Sequence, residues 1–515
     1  MTVCCFSTSF LRSLHTLAVN NQNKMVLQAT TALFCLLCLL RFSDALHVDV
    51  AIVGGGPGGL AAALALKRSC PVGTTIRVFE KDSFEPKGAS ISISKSGWQA
   101  LRDVDPDLCA TLEPRIRSTG VPTTRVAFEG FDSTAPVISR PVRGLIKVVN
   151  GASLVLQGIT AAANLLLRRN WMPPRFRVAH LWHDVRGCLA DAVREECGDG
   201  AICTGHTLVG LAEVEEPGGS GFELAFEVAP EGAAGEAPSS GLAAEVAAEV
   251  LTVRCGAVLG CDGVGSSVRR LAAKEPKASE VFADEGRIVW RGIVPGVDLR
   301  NRATFFSGGA STKTDNNRGA SSATTSSGLV FPAGGEAKGA SWALIAPAAE
   351  GRSSGSEDSR RRAAAALEAA CGSSPVPELL SHAIGASSVV VEHRLMVRDF
   401  SEGAPPYAAA TAGLTFMGDA QHPVRPTGEG LALAWADAAA LGSCCAEAVA
   451  ASRVSLPPGA APALFSAEDL AGILSAYEAK RLPEVQEVSE RVRAAAEAFY
   501  DAKKGGVKPG KFLVR

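Results

Sequence analysis

Apolar residues are grouped along this chain in short runs that alternate with glycine turns and alanine-rich stretches. Residues 48–53 (VDVAIV) are rich in β-branched side chains, the pattern of a strand buried in a parallel sheet. Residues 54–59 (GGGPGG) then predict a tight turn, and 60–68 (LAAALALKR) a helix. Further strands are predicted over 75–79, 257–260 and 412–417, and a carboxylate follows within two positions of each: Glu80, Asp262 and Asp419. After Asp419 come Pro423, Pro426, Gly428 and Gly430 in a turn, and then an Ala/Leu-rich helix. An amphipathic helix is expected over 181–193 (LWHDVRGCLADAV), and strands over 288–295 (IVWRGIVP) and 341–347 (SWALIAP). Residues 217–248, rich in Gly, Ala, Glu and Pro, read as a long surface loop around a short strand pair at 222–228. Residues 307–328 hold few apolar side chains and predict disorder.

Chemistry attaches to four of these strand ends. Gly54, Gly56 and Gly59 occupy the G-x-G-x-x-G positions between strand and helix. Gly54 permits the turn, Gly56 lets backbone approach a pyrophosphate, and Gly59 lets helix pack on strand. Glu80, at the end of the next strand, stands where a ribose-binding acid belongs, and this context makes dinucleotide binding the favoured reading. Lys81 beside it is a second candidate, with a solvated surface charge as the plainer reading. The third strand leads into Cys261-Asp262-Gly263-Val264-Gly265-Ser266-Ser267-Val268-Arg269. At the fourth, Asp419 can accept hydrogen bonds from sugar-like hydroxyls, and the following helix start favours negative charge. An ordinary capping Asp is the bland alternative there.

The D-G-x-x-S-x-V-R pattern at 262–269 resembles the second signature of the single-component flavoprotein monooxygenases, the family of 4-hydroxybenzoate hydroxylase and zeaxanthin epoxidase. The G-D-A-x-H segment from Gly418 to His422, with its Pro/Gly turn, resembles the third signature, and Tyr477 to Pro483 resembles the closing Y-E-x-x-R-x-P helix. The resemblance implies an α/β fold: a Rossmann-like FAD-binding domain interleaved with a mixed or antiparallel substrate sheet, plus a C-terminal helix. On this chain those would be 47–450, with the substrate sheet near 120–175 and 285–405, and 465–500. It implies FAD, with NADPH or NADH as reductant. Gly54, Gly56 and Gly59 would face the pyrophosphate, Glu80 the adenosine ribose, and Asp419 the ribityl chain. Pro426, Gly428 and Gly430 would lie beside the flavin. Asp262 and Gly263 would serve the pyrophosphate region and nicotinamide access, although Asp262 also suits a turn residue tying down its own loop. Ser266 and Arg269 can simply cap and orient the next helix.

Two departures from the family pattern stand out. Pro426-Thr427-Gly428-Glu429-Gly430 is one residue shorter than P-x-x-G-x-G. Family members also start the 181–193 helix with an Arg facing the flavin, whereas Trp182 stands there in this chain. Arg186, one turn on, is the candidate substitute, with a surface Arg as the alternative.

Composition narrows the picture further. The chain has 515 residues, 47% hydrophobic, which is ample for large cores, and 53 glycines suit a fold rich in backbone–ligand contacts. A net charge of −2 without a basic stripe argues against a nucleic-acid partner. Arg360, Arg361 and Arg362 are expected to be a solvated helix start, and the Lys-rich tail at 503–511 frayed. The histidines form no metal-ligand spacing, so no metal is expected, and His422 reads as a satisfied turn residue. Adjacent Cys444 and Cys445 are expected in the core.

Residues 1–46 stand apart. No acid precedes Asp44, and the apolar run at 32–40 (ALFCLLCLL) is followed by a small-x-small site. It is shorter than the roughly 20 residues of a membrane span. A cleavable signal peptide or organellar presequence, plastid included, is expected, and membrane association only through this segment. Cys35 and Cys38 fall inside the apolar run and are not read as redox or metal chemistry.

The activity implied by the resemblance is oxygenation of a small apolar or aromatic substrate by O2 through a flavin hydroperoxide, either hydroxylation or epoxidation. That scheme requires no side-chain acid or base, and no catalytic residue is assigned. A geranylgeranyl-reductase-like flavin enzyme and a flavin-binding protein without turnover are the alternatives.

Overall fold

The computed structural model describes residues 45–500 apart from 85–89, 124, 131–176, 217–218, 230–248, 274–281, 309–325, 334–338, 349, 352, 399, 401–410 and 455–461. Residues 1–44, read above as a targeting segment, and the tail beyond residue 500 lie outside the described residues. In chain order the elements begin β1 (Leu46–Val53), α1 (Pro57–Ser69), β2 (Ile76–Glu80), β3 (Ser90–Ser92), α2 (Lys95–Val104), α3 (Pro106–Ser118), β4 (Val121–Thr123), β5 (Arg125–Gly130) and β6 (Arg177–Leu181). Then come α4 (Trp182–Cys197), β7 (Ile202–Thr204), β8 (His206–Glu216), β9 (Gly219–Val228), β10 (Glu249–Gly260), α5 (Ser267–Ala272), β11 (Phe282–Pro295), β12 (Arg302–Gly308), β13 (Ser326–Ala333) and β14 (Gly339–Pro347). The last are α6 (Ser356–Cys371), α7 (Glu378–Ala386), β15 (Val390–Arg398), β16 (Leu414–Phe416), α8 (Gly430–Val454) and α9 (Ala467–Tyr500).

The first sheet runs β7-β2-β1-β10-β9-β8, with β16 added beside β10. Strands β1, β2, β7, β10 and β16 are parallel, so the carboxyl ends of β1, β2, β10 and β16 share one edge. Helices α1 and α8 cover one face. Both are apolar nearly all round because they are buried between sheet and helices. Small residues allow that approach: a Cβ on Gly442 would meet Ser69 Oγ at 3.2 Å and Ala65 Cβ at 3.4 Å. Cys444 and Cys445 are buried at the same contact.

The second sheet, β15-β11-β14-β13-β12-β5, is largely antiparallel. Alternation decides its two faces. Ile288, Trp290, Val294, Trp342 and Leu344 pack against α6 and α7. Val289, Arg291 and Ile293 point the other way, toward the side on which Asp419 lies. A small sheet, β3-β6-β4, completes the set.

Three sequence expectations are corrected. Residues 219–228 are a full strand of the main sheet rather than a short pair in a loop, because Phe222, Leu224 and Phe226 supply a buried face between β8 and β10. Positions 307–308 and 326–328 of the stretch expected to be disordered pair with each other in β12 and β13, and 309–325 lie outside the described residues. Arg360 and Arg362 are not merely solvated: Arg360 donates to the Ser387 carbonyl at 3.0 Å, and Arg362 pairs with Glu392 at 2.9 Å.

Candidate functional site

The glycine loop between β1 and α1 shows why each position needs its residue. Gly54 has φ +108°, and a Cβ there would lie 2.4 Å from the Cys261 carbonyl oxygen. A Cβ on Gly59 would lie 2.1 Å from the Gly54 carbonyl oxygen. Gly56 differs: nothing stands within 4 Å of its Cβ position, and it is the N-cap of the 13-residue α1. A side chain at Gly56 would thus enter open space, beside a helix start that carries the positive end of the dipole.

Glu80 closes β2 beside this loop and is 8% exposed. Its Oε2 accepts from the Gly55 amide at 2.7 Å, its Oε1 from the Asp82 amide at 2.9 Å. Arg186 of α4 pairs with it at 3.1 Å and donates through Nε to the Gly55 carbonyl at 2.7 Å. The Arg186 guanidinium sits 3.8 Å over the Phe84 ring and 5.1 Å from the Trp182 ring. Sequence reasoning set Arg186 toward the flavin; the structure sets it against Glu80 at the glycine-loop end of the cleft. Burial lowers its pKa, and Glu80 and Asp82 oppose that effect. Lys81 is exposed.

Asp262 behaves as a loop tie. Its Oδ2 accepts from the amides of Ser267 at 2.6 Å and Val268 at 3.1 Å, while Oδ1 is buried with no hydrogen-bond partner among the described residues. Gly263 takes φ +77° in that turn. Ser266 caps α5 by accepting from the Arg269 amide at 3.0 Å. Arg269 does more than orient a helix: its guanidinium donates to the Val264 carbonyl at 2.5 Å and to the Ala420 carbonyl, and lies 4.1 Å over Phe282. It thereby joins the second signature to the third and to the start of β11. Burial lowers its pKa to about 10, with Asp262 opposing and Arg398 adding to the effect.

At the third signature, Gly418 turns with φ +57° and Asp419 is exposed just past the carboxyl end of β16. The Asp419 side chain is solvent-accessible, yet protein surrounds it closely enough that burial raises its pKa, against the pull of His422 and Arg291. The shortened turn closes by a three-residue device: the Thr427 amide donates to the Arg425 carbonyl at 2.7 Å around Pro426, and Gly428 takes φ +92°. Pro426 and Gly428 are exposed on the cleft rim, and Gly430 begins α8 with Asp419 Oδ1 3.7 Å from its Cβ position.

Beneath this turn lies a buried ionic cluster that sequence reasoning missed. Asp437 of α8, fully buried, accepts from the Gly418 amide at 2.8 Å, His422 Nε2 at 2.7 Å and Arg481 Nε at 2.7 Å. In the same closing motif Tyr477 donates to the Phe416 carbonyl at 3.3 Å, and Glu478 accepts from Thr415 Oγ1 at 2.6 Å. The closing helix is thus a clamp on β16 and the third signature. The second sheet forms a roof over the turn and holds it through Arg425 and Glu285, paired at 2.8 Å, and through the Arg398 amide, which donates to the Pro423 carbonyl at 2.9 Å.

No family model matches the chain, and no characterised protein matches it by sequence. Solved structures do match. One is CtdE in complex with FAD and substrate (TM-score 0.58, 16% identity, 91% of this chain and 92% of that one). A second is HpxO from Klebsiella pneumoniae with FAD and uric acid (0.53, 16%, 90% and 92%). A third is 2,6-dihydroxypyridine-3-hydroxylase from Arthrobacter nicotinovorans (0.54, 16%, 91% and 97%). The chain has the FAD-binding monooxygenase fold. In that fold the glycine loop, Glu80 and Asp419 follow parallel strands that end at one edge of the first sheet, and their chemistry suits FAD: an open position at Gly56 for a pyrophosphate, and carboxylates for hydroxyls.

Proposed function

We propose that this chain is an FAD-dependent monooxygenase that takes electrons from NADPH or NADH and oxygenates a small apolar or aromatic substrate. The observation that carries the reading is the pairing of a glycine loop open at Gly56 with the Asp419 carboxylate, which makes no hydrogen bond among the described residues, both where the parallel strands end. Bound FAD, once reduced, supplies the electrons that activate O2, one oxygen atom going to the substrate and the other to water. Gly56 and the α1 N-terminus would hold the pyrophosphate, Glu80 the ribose hydroxyls and Asp419 the ribityl hydroxyls. The start of α8 would favour negative charge on the ring. The inner face of the roof sheet would position the substrate and keep water out. Residues 1–46 would carry the chain into the secretory pathway or an organelle.

The test is direct. Purified protein is examined for bound FAD, then NAD(P)H oxidation and O2 uptake are recorded with a panel of phenols and alkenes. Substrate-stimulated O2 uptake with a product heavier by one oxygen atom supports the proposal. Reduction of substrate without O2 uptake sinks it, and a colourless protein that takes up no FAD sinks every flavin reading.

A further inference from the structure

Two thiols meet where α1 and α8 pack together. The helices run parallel and close. A Cβ on Gly58 would lie 3.1 Å from Ala434 Cβ, and one on Gly442 would lie 3.4 Å from Ala65 Cβ and 3.2 Å from Ser69 Oγ. Carried one turn further, that register brings Cys70, the C-cap residue of α1, level with Cys445 of α8. Both cysteines join the apolar cluster that the two helices share, and the Cys445 thiol is in hydrogen-bonding contact with that of Cys70. Both are free thiols in this structure. Their exposure differs: Cys445 is 0% exposed, whereas Cys70 is half-buried at the end of its helix.

That difference divides the chemistry between them. A thiol reacts as its thiolate, and the contact with Cys70, burial and the neighbouring Cys444 all push the Cys445 pKa up. Cys445 therefore stays protonated and out of reach, and Cys70 is the sulfur that an oxidant meets first. A small disulfide such as oxidised glutathione is an oxidant of the required class. The Cys70 thiolate attacks it, one glutathione leaves as thiolate, and a mixed disulfide forms on Cys70. Cys445 then gives its proton to water and attacks the Cys70 sulfur, displacing the second glutathione. Two protein thiols are oxidised to one disulfide while one disulfide is reduced to two thiols. A disulfide needs Cα atoms within about 7 Å, a spacing that helices meeting through Gly58, Ala65, Ala434 and Gly442 allow. We propose that Cys70 and Cys445 are a redox pair whose disulfide staples the end of α1 to the middle of α8. These helices begin at the Gly56 cap and at Gly430, so the staple fixes the supports of the glycine loop and of the third-signature turn against each other. Cys444 is the adjacent rival, but it lies toward Lys480 and Glu447. The pair's chemistry stands apart from the monooxygenase reading.

The test equilibrates the full chain in buffers of rising oxidised-to-reduced glutathione ratio, quenches with acid and alkylates with N-ethylmaleimide. Peptide mass mapping is expected to show a link between the peptides carrying Cys70 and Cys445, lost on treatment with dithiothreitol. Cys444 shares a tryptic peptide with Cys445, so two variants assign the bond: Cys444→Ser keeps the link and Cys445→Ala abolishes it. Oxidation should raise the melting temperature of the FAD-free protein by about 2–5 °C, the effect of one disulfide in a chain of this size. Dithiothreitol should reverse the rise. Cys70→Ser, at a half-buried position, should keep the reduced protein within about 1 °C of wild type and lose the oxidation-dependent rise. If Cys445→Ala does not fold, Cys70→Ser carries the test alone. A Cys70 that stops at the mixed disulfide, a link to Cys444, or no link in protein that remains folded overturns the proposal. So does a linked protein with an unchanged melting temperature. No flavin assay enters, so failure of the enzyme reading is seen separately.

Discussion

Arg481→Met isolates the buried clamp beneath the third signature. Asp437 is 0% exposed and Arg481 2%, so the substitution leaves a carboxylate in the interior without its permanent positive partner. Removing one member of a buried pair costs about 3–5 kcal/mol. The Gly418 amide and His422 still donate to Asp437, which puts the expected loss near the low end, at about 3 kcal/mol. Urea unfolding of the FAD-free protein measures it, and FAD titration reports the second effect, because Gly418 and Asp419 hang from the same carboxylate. Acid adds a third readout. Burial alone would raise the Asp437 pKa, but His422 and Arg481 outweigh it and hold it below the usual carboxylate value. The unfolded chain, with a carboxyl pKa of about 3.9, then takes up the proton first. The stabilisation is complete above that pH and is lost as pH falls through the lower folded value. In Arg481→Met the folded pKa rises toward that of the unfolded chain, so this acid-dependent loss becomes smaller. Replacing Asp437 by Asn in the same protein removes the stranded charge and should recover part of the loss. A single variant within about 1 kcal/mol of wild type, or a double variant no more stable than the single, would refute the clamp.

Three further outcomes follow from the same geometry. Gly54→Ala meets both a positive φ and a 2.4 Å backbone clash and should destabilise the protein by several kcal/mol, about 3 or more. Gly56→Val, which has open space, should leave the FAD-free melting temperature nearly unchanged yet abolish FAD binding in a fluorescence titration; equal behaviour of the two variants would contradict the loop roles. Asp419→Asn should weaken FAD by about tenfold, the value of one charge-assisted hydrogen bond. It should not lower the FAD-free melting temperature, because burial raises the Asp419 pKa and the side chain makes no hydrogen bond among the described residues; undiminished FAD affinity would remove Asp419 from the cofactor site. For His393, with its pKa lowered from 6.5 to about 4, the unfolded chain binds the proton first, so stability falls as pH drops from about 6.5 towards 4. The loss is at most about 3 kcal/mol, reduced by partial solvent access, and His393→Gln should flatten that limb of the urea-stability profile; an unchanged profile counts against a neutral His393.

The parallel strands were largely legible because burial on two faces writes itself as apolar runs: 48–53, 75–79, 257–260 and 412–417 all fall within or across parallel strands of one sheet. Strand β9 was harder, since Gly and Glu around it disguise a segment whose alternate residues are buried. Charge pairing was not legible at all. Asp437 sits in an alanine-rich helix and meets Arg481 from 44 residues away, and Arg425 meets Glu285 across 140. Arg291 was hidden inside IVWRGIVP, where a strand reading gives the alternation but not what the outward face opposes. The partners of Arg186 were not legible for a related reason: helix periodicity gives its face, while its direction comes from Glu80, the Gly55 carbonyl and the Phe84 ring.

The shortened turn is where local pattern and tertiary structure part company. Counted along the chain, a missing residue between Pro426 and Gly430 displaces everything after it relative to Asp419. In the fold, both ends are fixed independently. Asp419 follows Gly418, whose amide is tied to Asp437, and Asp437 lies two turns into α8, so the strand end and the helix are locked together from below. From above, Glu285 holds Arg425, and the Arg398 amide holds the Pro423 carbonyl. The connecting residues therefore have only to span a gap whose ends are already set, and the bond from the Thr427 amide to the Arg425 carbonyl closes it with one residue fewer. On this reasoning the deletion changes the rim of the cleft, where Pro426 and Gly428 are exposed, and leaves the Asp419 position to the clamp. Lengthening the turn by one glycine after Thr427 should then alter FAD affinity far less than Arg481→Met does. A larger effect from the insertion would mean that the turn, not the clamp, sets the geometry.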